Sequence, residues 1–183
     1  LASNAPGIVH LYSDRQASLC GPEFLVRLEK GFHAPFLEKK RQVITELAEY
    51  TGEHPEEVER KCDLAGLKAV ALWREKQPAD ENAVCRFYQE NDFYLYELMK
   101  TEYNGDEEDL VREVLSLCSP GDRVLEYGGG CGTLSIALAE KGCRVTHLDL
   151  GGPLLDFAAW RFRRRGFKVR IHPLDEKAAD LCG

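Results

Sequence analysis

Ten consecutive residues, Val124-Leu125-Glu126-Tyr127-Gly128-Gly129-Gly130-Cys131-Gly132-Thr133, constrain the fold more than any other part of the chain. They read as a short strand, a glycine loop and the start of a helix running to about Lys141, where Gly142 stops it. Glycines in such a loop let the backbone turn sharply and come close to a ligand with no Cβ in the way. The helix behind the loop aims its unpaired N–H groups and the positive end of its dipole at whatever lies above it. A second strand from Val145 to Leu150 closes in His147-Leu148-Asp149-Leu150. If the two strands are parallel neighbours, Asp149 stands at the carboxyl end of the second, where it can accept two hydrogen bonds from a ribose diol.

Glycine spacing narrows the ligand. A dinucleotide fingerprint wants G-x-G-x-x-G or A, and here the third position falls on Thr133 counting from Gly128, or on Ser135 counting from Gly130. Neither register fits. The run instead has the form E-x-G-x-G-x-G, through Glu126, Gly128, Gly130 and Gly132. It resembles motif I of the class I S-adenosylmethionine-dependent methyltransferases, and Asp149 matches the acidic residue of their second strand.

The resemblance implies a Rossmann-like, doubly wound parallel α/β sheet and S-adenosylmethionine as cofactor. It would put Gly128, Gly130 and Gly132 along the methionine part, with Glu126 organising the loop and the ligand's amino group. Asp149 would hold both ribose hydroxyls, and Leu150 would pack on the adenine. Tyr127 belongs to the same cofactor-binding stretch, and Asp175 is a weaker match to the acid that contacts the adenine amino group. Methyl transfer from a sulfonium asks mainly for alignment in a dry site, which can supply about 7–11 kcal/mol. The motif therefore identifies a cofactor and leaves the acceptor, expected to be a small molecule, and any catalytic base unassigned. An NAD-type Rossmann oxidoreductase and a non-catalytic cofactor-binding module stand as alternatives.

Around this segment the chain reads as two regions. Residues 1–106 form a helical N-terminal region, and 107–183 form the cofactor-binding domain. In the first, a short helix near Phe24–Leu28 is expected to stop at Gly31. A second helix follows from Ala34 to Tyr50 with Leu37, Val43, Ile44 and Leu47 as its stripe. A third opens at Pro55 with Val58, Cys62, Leu64 and Leu67 on one face, and Asp80 and Asp92 are candidate caps for a fourth and a fifth. Beyond Asn104-Gly105-Asp106 come a helix over 107–118, the two strands, a helix ending at Gly166, and a third strand over 167–171. The order βαβαβ implies parallel strands. In the family's usual order a fourth strand covers the first, and none is left in this sequence, so a fragment with an open sheet edge is expected.

The remaining features exclude more than they assign. With 24 basic against 31 acidic residues the net charge is −7, the wrong sign for electrostatic capture of nucleic acid. Seven cysteines without a C-x-x-C pair or clustered histidines read as reduced thiols in the cytoplasm, with no metal site. No run approaches the roughly 18 apolar residues of a membrane span. His147 reads as a packed core histidine, Cys131 as a small loop filler, and Phe87, Tyr88, Phe93, Tyr94 and Tyr96 as packing between helices, with Tyr94 or Tyr96 able to reach a ligand. Arg161, Arg163, Arg164 and Arg165 suit the negative end of their helix.

Overall fold

The computed structural model describes residues 22–174, and side chains from residue 35 onward. The chain divides into two compact units at Gln42 and Val43. Helix α1, Pro22–Thr51, begins in the first unit and ends in the second, running through Gly31 and Pro35 without the expected stop. A helical glycine costs about 1 kcal/mol and a proline about 3. The flanking runs, rich in Leu, Glu, Lys and Arg, outweigh that penalty. Within the first unit Glu38 accepts hydrogen bonds from Arg41 and Gln42, one turn on.

In the second unit the end of α1 buries Val43, Ile44 and Leu47. Helix α2, Pro55–Lys76, places proline in its first turn with Glu56 and Glu57, and Arg74 and Lys76 in its last, all in accord with the helix dipole. It buries Val58, Cys62 and Ala65. Leu64 and Leu67, expected on that face, are exposed, Leu67 by 72%. Each lies two residues beyond a buried position, about 200° around a helix of 3.6 residues per turn. Helix α3, Glu81–Glu90, is capped by Asp80, whose carboxylate accepts from the Ala83 N–H at 2.7 Å. Helix α4, Phe93–Asn104, packs along α2 and buries Phe93, Leu95, Tyr96, Met99 and Tyr103, and Gly105 ends it in the left-handed conformation.

Helix α5, Glu108–Leu117, leads into strand β1, Arg123–Tyr127. Helix α6, Thr133–Glu140, strand β2, Arg144–Asp149, helix α7, Pro153–Arg165, and strand β3, Arg170–Pro173, complete the described elements. The strands form one parallel sheet in the order β1-β2-β3, with Glu126 opposite His147 and Asp149 opposite Pro173. Strand β3 starts later than the expected 167 because Gly166 caps α7 and the Phe167 N–H still donates to the Phe162 carbonyl at 3.0 Å. Ile136, Ala158 and Phe162 pack with Phe167, Val169 and Ile171, while Leu138, Cys143 and Val145 pack with Val114 and Leu115 of α5. Among the described residues β1 pairs only with β2, and its free edge leaves Leu125 exposed and Tyr127 73% exposed. No helix among the described residues is long and apolar enough to cross a membrane.

Candidate functional site

The glycine loop joins β1 to α6. Gly128, Gly130 and Gly132 have φ of +71°, +54° and +79°. A Cβ in that left-handed region costs about 1–2 kcal/mol. The N–H groups of Gly128 and Gly129 both donate to the Leu148 carbonyl, at 2.8 and 3.1 Å, which ties the loop to β2. Gly132 then starts α6, accepting from the Ile136 N–H at 2.9 Å. Close packing adds a second demand. A Cβ on Gly130 would meet Leu98 of α4 at 2.8 Å, and one on Gly132 would meet Phe162 at 2.6 Å. On Gly128 it would meet nothing within 4 Å, so the loop is open on that side.

The two carboxylates assigned to this loop approach it from different directions. Asp149, at the end of β2 and only 7% exposed, accepts from the Gly130 N–H at 2.6 Å. Glu126 lies against Gly129: its Cδ would stand 2.9 Å from a Cβ on that glycine. Ser135 donates to the Glu126 carboxylate, and His147 Nδ1 lies 3.0 Å from Ser135 Oγ and 3.4 Å from Glu126 Oε2. His147 is fully buried, edge-on to Phe162. It is the packed histidine the sequence suggests, and its Nε2 has no partner among the described residues.

Glu126, Gly128, Gly130, Gly132 and Asp149 therefore meet at one place. Leu150 is half-buried just past β2, Tyr127 projects at the sheet edge, and Asp175 lies outside the described residues. Of the two tyrosines, Tyr96 turns away to accept from Lys61 of α2 at 3.3 Å. Tyr94 stays near the site. Burial first, then the neighbouring Tyr88, Cys131 and Asp149, push its hydroxyl pKa up. Cys131 is buried, and desolvation raises its thiol pKa despite the attraction of Arg161, which suits a filler of the loop.

Sequence reading missed three contributors. Gly129 occupies a variable position of the motif, yet a Cβ there would overlap His147 at 2.3 Å. Gln89 of α3 backs the turn after β2, its carbonyl 2.3 Å from where a Cβ on Gly152 would stand. Arg161, grouped by sequence with the helix-end arginines, is instead buried, with Nη1 3.0 Å from the Cys131 carbonyl and 3.0 Å from Glu102. Its Nε donates to Glu46 at 3.1 Å. For Glu46, burial raises the pKa, and the Arg165 hydrogen bond with the charges of Arg161 and Arg165 overcomes it, leaving the carboxyl below its ordinary value. The apolar face of α7 held the signal: Leu154, Phe157, Ala158, Arg161 and Phe162 follow a helical repeat.

A three-strand parallel sheet joined by helices, with left-handed glycines beside a buried aspartate, is consistent with a partial Rossmann-like α/β fold. No family model matches the chain. Over 69 residues it is 38% identical to protein-L-isoaspartate O-methyltransferase from Methylorubrum populi, covering 38% of this chain and 32% of that protein. The chain thus spans about a third of that curated relative. The crystal structure of the YcgJ protein from Bacillus subtilis matches with a TM-score of 0.34 and 18% identity, covering 37% of this chain and 30% of that one. The chain resembles the class I S-adenosylmethionine-dependent methyltransferases, and the curated relative is itself a methyltransferase.

Proposed function

We propose that the chain binds S-adenosylmethionine and serves methyl transfer to a small-molecule acceptor, on the first half of a doubly wound sheet. One observation carries the reading. A buried carboxylate ending β2 lies 2.6 Å from the N–H of Gly130, within a loop of left-handed glycines that opens a helix. The residues fit such a ligand: the space beyond Gly128 is open, Asp149 offers an acceptor for a diol, and half-buried Leu150 offers an apolar surface for a base. In this reading Gly128, Gly130 and Gly132 line the methionine part, while Glu126 steadies the loop through Ser135 and His147. Tyr127 flanks the loop, and Asp175 meets the adenine amino group. When bound, the cofactor supplies an electrophilic methyl group on a sulfonium.

The chain's own task is alignment and exclusion of water, which needs no base unless the acceptor must first lose a proton. Leu98 against Gly130, and Tyr94 near Asp149, give the loop an apolar cover that suits this task. Thr133, where a dinucleotide site wants glycine, donates its hydroxyl to Glu102 at 2.6 Å, which favours this reading over an NAD enzyme. The net charge of −7 favours neither nucleic acid nor an anionic membrane as partner, and the free thiols Cys85, Cys118, Cys131 and Cys143 favour the cytoplasm.

Calorimetric titration with S-adenosylhomocysteine tests the proposal. Wild type should bind it and give no heat with NAD. Asp149→Ala should weaken binding by about tenfold or more, as expected when a buried carboxylate loses a charged hydrogen bond. No heat with S-adenosylhomocysteine, or an Asp149→Ala protein that binds as wild type does, would overturn it.

A further inference from the structure

Arg161 stands on the buried face of α7 and is only 1% exposed. Its Nη1 lies 3.0 Å from the Cys131 carbonyl in the glycine loop and 3.3 Å from the Thr133 hydroxyl. The same guanidinium forks onto Glu102 of α4 at 3.0 and 2.8 Å and reaches Glu46 of α1. Arg165 also pairs with Glu46. Two arginines and two glutamates thus form a charge-balanced cluster joining α1, α4, α7 and the loop.

Stability alone is a poor reason for such a cluster. Desolvation cancels most of its Coulombic gain, and buried ion clusters replaced by apolar groups of similar volume are often no less stable. Apolar groups could not hold a carbonyl of the loop. Asp149 holds the loop by the Gly130 N–H through one oxygen, and a diol donating to the same carboxylate shares its charge and weakens that bond. Loosened there, a run with three left-handed glycines has other conformations open to it.

We infer that Arg161 is a positioning residue for the proposed cofactor seat: through the Cys131 carbonyl it keeps the glycine loop in shape when Asp149 turns to a ligand. The inference rests on reading the loop as that seat. It also makes the helical layer, through Glu46 and Glu102, part of the loop's support.

The test removes Arg161 together with both carboxylates and leaves the partly exposed Arg165 in place. Arg161→Met alone leaves Glu46 and Glu102 without their shared cation and is expected to unfold. R161M/E46Q/E102Q removes the charge together with its partners. Three readouts are compared with wild type: melting temperature, amide hydrogen exchange resolved by NMR, and S-adenosylhomocysteine affinity. The expected result is a melting temperature within a few degrees of wild type, with exchange at Gly130 and Gly132 at least tenfold faster and unchanged in α2 and α4. Affinity should fall at least tenfold. Two results would overturn the inference: loop amides exchanging at wild-type rates in the folded triple variant, or faster exchange throughout with a lowered melting temperature, which marks a merely structural role. If wild type binds no S-adenosylhomocysteine, the cofactor reading fails, and loop exchange still decides whether Arg161 orders the loop.

Discussion

Replacing Gly129 by alanine isolates packing from backbone strain, because Gly129 alone of Gly128, Gly129, Gly130 and Gly132 does not have a positive φ. Its new Cβ would lie 2.3 Å from His147 Cε1, 2.4 Å from His147 Nδ1 and 2.9 Å from Glu126 Cδ. The imidazole is fully buried and cannot swing into solvent. Either it leaves Ser135 and Glu126, or the loop lifts from the Leu148 carbonyl. Overpacking costs about 1–3 kcal/mol, and leaving a buried polar partner unsatisfied adds about 1–3 kcal/mol. The expected loss is about 2–6 kcal/mol, a large share of the roughly 5–15 kcal/mol that holds a domain folded. Gly128→Ala is the control. Its φ is +71° and nothing lies within 4 Å of the added carbon, so only the left-handed cost of about 1–2 kcal/mol applies. Urea unfolding followed by circular dichroism measures both. A Gly129→Ala protein no less stable than Gly128→Ala would refute the reasoning. The double variant G129A/H147A should be more stable than the sum of the single losses by over about 1 kcal/mol. Simple additivity would acquit His147.

Two further outcomes follow from polar contacts away from the loop. Glu46 is held below its ordinary pKa, so its contribution to stability is complete above the unfolded value near 4.5 and is lost as pH falls through the folded value. The unfolding midpoint should therefore drop through this acid range, and Glu46→Gln should flatten the decline; equal slopes would count against the cluster. Tyr96→Phe removes a hydroxyl that accepts from Lys61 at 3.3 Å. It should cost about 1 kcal/mol in urea unfolding and leave S-adenosylhomocysteine affinity unchanged, whereas a shift in affinity would place Tyr96 closer to the site than its contacts do.

The loop and its flanking elements were legible because their causes are local. Left-handed backbone at Gly128, Gly130 and Gly132 demands glycine, and the strand before and the helix after follow from residues within one turn. Asp80 as a helix cap is of the same kind. The start of β3 was misplaced because a helix C-cap, also local, kept Phe167 bonded to α7. Gly129 escaped notice for a different reason. The motif counts alternate glycines, whereas the steric demand on Gly129 comes from His147 on the neighbouring strand. Arg161 escaped because its partners Glu102 and Glu46 stand 59 and 115 residues away. Its place in the repeat of Leu154, Phe157, Ala158 and Phe162 put it on the buried face, but a period states that a side chain is inside, not what it meets there.

Helix α4 shows where periodicity loses its power. Tyr96 faces α2 and Lys61, while Leu98 lies against Gly130. Tyr94 and Leu98 are four residues apart and share a side of the helix. A surface helix reports its orientation through the contrast between an apolar and a polar face, and a helix clasped between two partners has apolar residues on both. Reading Phe87, Tyr88, Phe93, Tyr94 and Tyr96 as one packing cluster therefore holds for Phe87, Phe93 and Tyr96, which are buried, and is silent about which side covers the glycine loop. The contrast that separates them is chemical. Tyr96 has a lysine on its hydroxyl, whereas the hydroxyl pKa of half-buried Tyr94 is raised by burial first, then by Tyr88, Cys131 and Asp149. The helical layer thus reaches the glycine loop through Leu98 and Glu102, and the turn after β2 through Gln89. Long-range contacts of this sort can be read only after the fold has brought α3 and α4 over the end of β2.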